Sequence, residues 1–271
     1  MSANHAAFNL IFRFVENYVS PIAGRISSQR HVMAIRDGFI SAMPFMIVGS
    51  FLLVFAYPPF SPDTTWGFAR AWLDMAKQFE GQILTPFDMT MGVMSLYICA
   101  AIAYNLGKHY VKSHQLDPFM CAMLSLMAFL LVAAPKTKGT LPVDSLGGTG
   151  IFTAILVAIY CVEMMRFLKA HYIGIRLPDQ VPPMIKNSFD LLIPVLVVVL
   201  TLYPLSLVIQ SEFGMLIPQA IMSVFKPLVS AADSLPAILL AVLIGHLLWF
   251  AGIHGLSLIH ISEPTRRRGI S

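Results

Sequence analysis

The stretch LPAILLAVLIGHLLWFAGIHG, residues 235–255, decides which solvent this chain is built for. Up to Ala251 it is almost wholly aliphatic, yet it holds His246 and Trp249 and leads into Gly252, Ile253, His254 and Gly255. A run of this length approaches the ~20 residues that carry a helix across a hydrocarbon core. Imidazole is expensive in hydrocarbon, so a histidine there is read first as functional. After Gly255 the text becomes LSLIHISEPTRRRGIS, polar and basic in its second half and unlike anything before it.

Five more runs of the same character lie upstream, at residues 39–57, 87–106, 119–134, 151–167 and 191–209. None alternates apolar and polar residues over ~10 positions, as a strand of a membrane barrel does. Composition agrees: 57% of residues are hydrophobic and 12% charged, against roughly 25% charged in soluble domains. The chain therefore reads as an all-α polytopic membrane protein, with about six transmembrane helices plus interfacial amphipathic helices. Its start lacks the basic stretch, short apolar core and small-residue cleavage site of a signal peptide.

The net charge of +4 is scattered over short loops and does not point to nucleic acid. Ten basic residues fall on the side of the N-terminus, among them Arg25, Arg30, Arg36, Lys169 and Lys186. Five fall on the other: Arg70, Lys77, Lys136, Lys138 and Lys226. The positive-inside bias then places the N-terminus in the cytoplasm. Cys99, Cys121 and Cys161 sit inside apolar runs without metal-ligand spacing, so they read as small buried hydrophobes. Neither metal nor cofactor is expected.

Between the runs lie segments of mixed character. In residues 8–26, Phe8, Ile11, Phe12, Val15 and Val19 recur at helical spacing until Pro21 ends or kinks the pattern. Residues 66–80 set Trp66, Phe68, Trp72, Met75 and Phe79 against charged neighbours, as an outer interfacial helix would. Glu163 and Arg166 are three residues apart and share a helix face, which reads as a snorkelling pair at a helix end. The prolines of LPDQVPP, residues 177–183, make a stiff non-helical stretch. A second amphipathic segment covers residues 215–229. The domain reading is 1–34 as a cytoplasmic amphipathic segment, 35–210 as a five-span unit and 211–234 as an interfacial connector. Residues 235–255 then open a second unit, and 256–271 form a tail outside the fold.

Three of these stretches, in this order, resemble one family. IRDGFISAMPFMIVGSFLLV (35–54), LPDQVPP with NSFDLLIP (187–194), and HLLWFAGIHG (246–255) are similar to the membrane-embedded IIC component of bacterial phosphotransferase-system sugar transporters, in the lactose, cellobiose and diacetylchitobiose branch. The resemblance covers residues 1–255. It implies a ten-span fold in two parts: five spans of scaffold that also form a homodimer interface, then five that hold and move the sugar. It also implies a soluble IIB partner, fed by IIA, that phosphorylates the sugar. The expected setting is the bacterial cell (inner) membrane.

Within the last motif the resemblance assigns Trp249 and His254 to the sugar site, with His254 as the catalytic candidate. The chemistry is sound on its own: an indole face stacks on a sugar ring, and imidazole can accept or hold a hydroxyl proton. From the residues alone, His254 reads equally well as a helix-end histidine and Trp249 as a belt residue. His246 reads as a helix–helix hydrogen bonder. Five residues on a regular helix turn about 140°, so Trp249 and His254 converge only if the helix ends or unwinds at Gly252. The expected function is a permease for a β-linked disaccharide, incomplete relative to the ten-span fold and inactive alone, with 256–271 as a foreign tail. The competing readings are an ion- or proton-coupled secondary transporter and a non-transporting scaffold. Against the coupled carrier, no run holds a mid-membrane pair of Asp or Glu.

Overall fold

The computed structural model describes residues 20–134, 142–175, 178, 180, 182–232 and 234–250. Every regular element among the described residues is a helix, with no strand among them. Two compact units emerge, Arg30–Val224 and a smaller one made of Met1–Gln29 with Phe225–Ser271.

The larger unit begins with α2, Arg30–Ala56, which follows a short α1, Ser20–Ser27. At 1.5 Å per residue, α2 spans about 40 Å, enough to cross a bilayer. It starts nine residues before the apolar run that reveals it, because Arg30, His31 and Arg36 continue the helix beyond its hydrocarbon part. Ala34, Gly38 and Ala42 recur every fourth residue and are buried. They form the seam against α4, Met94–His114. A Cβ on Gly38 would lie 2.4 Å from Ile102 Cγ1 and 2.9 Å from the Ile102 backbone nitrogen. Small residues at this spacing let two membrane helices touch along their backbones. The opposite face of α2, with Ile40, Ile47, Val48 and Phe51, is exposed and apolar, as a lipid-facing surface must be.

Between them runs α3, Gly67–Asp88, kinked at Phe79. It takes in the amphipathic segment expected at 66–80 except Trp66, which caps it, and continues eight residues further. Trp72 packs on Phe55, Phe60 and Phe68, with ring centroids 5.6–5.9 Å apart, and donates its indole N–H to the Phe55 carbonyl. The apolar run at 87–106 is not one helix. It breaks after Asp88 and restarts at Met94. The cause is local: at Gly92 a Cβ would meet the Asp88 carbonyl at 2.5 Å, and the Thr90 hydroxyl bonds back to the Pro86 carbonyl. Hydropathy alone does not register such a turn. α4 then runs on to His114, eight residues past the apolar run.

α5, Pro118–Ala133, opens with proline in its first turn and Asp117 as its cap, accepting from the Phe119 and Met120 amides. A 3-10 turn, Gly148–Gly150, leads into α6, Ile151–Ala170. α7, Pro183–Asp190, uses the last proline of the stiff stretch to start a helix. α8, Leu192–Phe213, ends at Gly214 with φ 65°. α4 is the centre of this unit, packed on α2, α5 and α6, while α8 closes over α5 and α6. Ile98, Ile102, Leu124, Phe129, Val162 and Val198 fill the core, and the three cysteines are buried and unpaired. Successive helices α2, α4, α5, α6 and α8 alternate in direction. The starts of α2 and the ends of α4 and α6 meet through His31, Tyr110 and Glu163. At the far end the Ser95 amide bonds to the Leu146 carbonyl just before α6.

α9, Ile217–Ala232, follows, and α10, Leu235–Phe250, lies in the smaller unit. Among the described residues, Arg30–Ala56, Gly148–Ala170 and Ser188–Phe213 are long and apolar enough to cross a membrane; Pro118–Ala133 is apolar but shorter.

Candidate functional site

Trp249 lies in the last turn of α10. His254, and any unwinding at Gly252, lie outside the described residues.

The best-defined polar constellation is elsewhere, where α2, α4 and α6 converge. Glu163 is its hub. Its Oε1 accepts from the Tyr110 hydroxyl at 2.6 Å and lies 3.0 Å from His31 Nε2. Its Oε2 accepts from Arg166 Nε at 2.6 Å. The Arg166 and Arg30 guanidinium groups both lie over the Tyr110 ring, 5.4 and 5.7 Å from its centroid. The sequence shows the Glu163–Arg166 pair by its spacing. It does not show His31 and Tyr110, which come from other helices, although three polar side chains at helix ends were the available signal. Rather than snorkelling freely, the carboxylate ties three helices together.

Beside this hub, the ends of α4 and α6, residues 172–175 and α7, through Lys186 and Asp190, line a cleft of about 660 Å³. Lys169 bridges it, with its ammonium 3.0 Å from the Gln115 carbonyl and 3.0 Å from Asp190 Oδ2. At the opposite end of the unit, a cleft of about 700 Å³ lies between α3 and the 57–62 loop. There Tyr57 donates to Glu80 at 3.0 Å, beside Arg70, Asp74 and Lys77. No group of three or more His, Cys, Asp or Glu among the described residues is placed to hold a metal ion.

An alternating bundle of apolar helices, tied at one end by a shared carboxylate and edged by an aromatic amphipathic helix, is the architecture of a polytopic membrane protein. The family described as "Phosphotransferase system, EIIC" matches residues 36–263, and the chain belongs to it. The cellobiose-specific EIIC component of Geobacillus stearothermophilus is 33% identical over 264 residues, covering 91% of this chain and 56% of that protein. The lichenan permease IIC component of Bacillus subtilis is 32% identical, over 93% of this chain and 57% of its own length. A lactose-specific EIICB component of Streptococcus mutans is 33% identical, over 88% of this chain and 41% of its own. The crystal structure of ChbC, the IIC component of the N,N'-diacetylchitobiose-specific phosphotransferase system, matches with a TM-score of 0.76 at 33% identity. It covers 90% of this chain and 58% of that one. The chain thus spans about half the length of the curated relatives it matches. The all-α membrane fold expected from the sequence is the fold of this family.

Proposed function

We propose that this chain is part of a sugar permease of the phosphoenolpyruvate-dependent phosphotransferase system, acting on a β-linked disaccharide. The observation that carries it is the match of residues 36–263 to this family, together with relatives whose names join it to cellobiose, lactose and lichenan. In this reading a IIB partner, charged by IIA, phosphorylates the sugar as it crosses, which traps it as an anion. Trp249 stacks on the sugar ring, and His254 holds a hydroxyl in line for attack. Residues 35–210 serve as the scaffold and pair with a second copy in the bacterial cell (inner) membrane. One detail bears on that pairing: Gly49 and Ser50, small enough to admit a partner helix, are turned to Met91 and Thr90 of the same chain. The dimer contact therefore uses the exposed apolar faces instead. The N-terminus lies in the cytoplasm.

The test is uptake of labelled cellobiose, lactose and diacetylchitobiose by cells that lack their own permeases and express the complete gene with its IIA and IIB. The expected result is uptake that needs phosphoenolpyruvate, delivers phosphorylated sugar and is abolished by His254→Ala. Uptake of unmodified sugar, abolished by a protonophore and indifferent to IIB, would overturn the reading.

A further inference from the structure

The cleft between α3 and the 57–62 loop is unused by the sugar site. α3 brings Arg70, Asp74, Lys77 and Glu80 to it, each three or four residues from the next. Charges so spaced ordinarily close into ion pairs along a helix. Here they do not. Arg70 donates from Nε to the Thr64 carbonyl at 2.7 Å, and Glu80 accepts from the Tyr57 hydroxyl at 3.0 Å. The ion pairs among the described residues are His31–Glu163, Arg36–Asp37, Arg166–Glu163 and Lys169–Asp190. Asp74 and Lys77 therefore line the cleft with neither an ion pair nor a side-chain hydrogen bond.

The wall around them is stiff. Trp72 is tied to the Phe55 carbonyl and packs on Phe60, which packs in turn on Trp66, so the loop is held and the cleft is formed in advance. Its content specifies the ligand. Two cations face two carboxylates, so an ion of either sign meets as much repulsion as attraction. A hydroxyl both donates and accepts, so a polyhydroxyl ligand uses cations and carboxylates alike. Pro58, Leu73 and Ala76 add an apolar side next to the half-exposed Tyr57 ring, which suits the C–H face of a sugar. The volume, about 700 Å³, is within the ~300–1,000 Å³ of small-molecule sites. An interfacial belt accounts for Trp66 and Phe68 but not for uncommitted charges on a concave face. We propose that this cleft captures the neutral disaccharide before it is phosphorylated, with Asp74 and Lys77 on its hydroxyls and Tyr57 against its ring. The sugar's identity and the cleft's place outside the membrane rest on the permease reading and its cytoplasmic N-terminus. The phosphorylated product, an anion, gains nothing from the balanced charge.

The experiment measures equilibrium binding of cellobiose, lactose and diacetylchitobiose to the full chain in nanodiscs, by saturation-transfer NMR without IIB. Trp249→Ala removes the sugar contact proposed on α10 and serves as the background. Binding of at least one disaccharide is expected to persist there. Asp74→Asn with Lys77→Gln should weaken it about tenfold, the effect of losing a charged hydrogen-bond partner in a partly wet site. Lys112→Gln, exposed at the other end of the unit, should leave it unchanged. Asp74 and Lys77 hold nothing else in place, so the double variant should unfold at the wild-type temperature. Binding of none of the three sugars in Trp249→Ala would overturn the proposal, as would undiminished binding in the double variant. Glucose 6-phosphate forms the other arm, and binding of it in preference to every disaccharide would overturn the neutral-ligand assignment. In the complete permease the double variant should raise KM for uptake and leave kcat unchanged; an unchanged KM would overturn the capture role. The nanodisc arm needs neither IIB nor transport, so its failure is read apart from a failure of the permease reading.

Discussion

Replacing Glu163 by glutamine keeps the volume of the hub and removes its charge. The carboxylate serves three partners: Tyr110 at 2.6 Å, Arg166 at 2.6 Å and His31 at 3.0 Å. In Glu163→Gln one oxygen becomes an NH2: turned toward Arg166 it sets a donor against a donor, and turned the other way it makes the Tyr110 hydroxyl and the His31 ring accept instead of donate, with the charge gone in either case. Hydrogen bonds to a charged group contribute about 1.5–3 kcal/mol when well shielded. The Arg166 side chain is 41% exposed and that of Glu163 26%, so solvent screens their pair to about 1 kcal/mol or less. The Tyr110 bond is better enclosed and carries most of the rest. The expected loss is about 2–3 kcal/mol. Thermal or denaturant unfolding in mild detergent, followed by size-exclusion fluorescence, measures it. Tyr110→Phe and the double variant complete a cycle whose coupling should be about 1–2 kcal/mol. A loss below about 0.5 kcal/mol, or additive single effects, would refute the hub as a tie between helices.

Two further outcomes are expected. Gly38→Ala places a methyl against Ile102 of α4 and should cost about 1–3 kcal/mol by overpacking; Gly81→Ala, where nothing lies within 4 Å, should stabilise by about 0.5–1 kcal/mol, and the same unfolding assay compares them. For topology, cysteines placed at exposed Asp144 and exposed Tyr172 should respond oppositely to an impermeant maleimide on intact cells. Asp144→Cys should react and Tyr172→Cys should not, and labelling at 172 from outside would reverse the orientation.

The parts of this fold that the sequence discloses are those set by solvent and by near neighbours. Apolar runs at 39–57, 151–167 and 191–209 match α2, α6 and α8 to within a residue at their shared ends, because hydrocarbon demands continuous apolar helix there. The spacing of Glu163 and Arg166 is a local fact, and the pair forms. What escaped depends on distance or on backbone shape. His31 and Tyr110 join Glu163 across 132 and 53 positions, and no periodicity reports contacts of that length. The break at Met89–Val93 hides inside an apolar stretch, because a turn half-buried against α2 need not be polar; Thr90 and Gly92 are its marks. Similarly, Ala34, Gly38 and Ala42 show their spacing in the sequence, but their partner is fixed only by the packing of α4. Trp249 and His254 are proposed through a motif alone, and Gly252 and His254 lie outside the described residues.

The long reach of the Glu163 hub sets an order of events during synthesis. A ribosome adding ~5–20 residues per second takes on the order of 10 s to pass from His31 to Glu163, which are 132 positions apart. Through that interval α2, α4 and α5 reach the membrane without the acid that ties α2 and α4 to α6, and only their packed apolar seams hold them. α6 arrives late and acts as a clasp. A nascent chain stalled before residue 163 should therefore be handed to quality control as an open bundle, whereas one stalled after α6 has already shut.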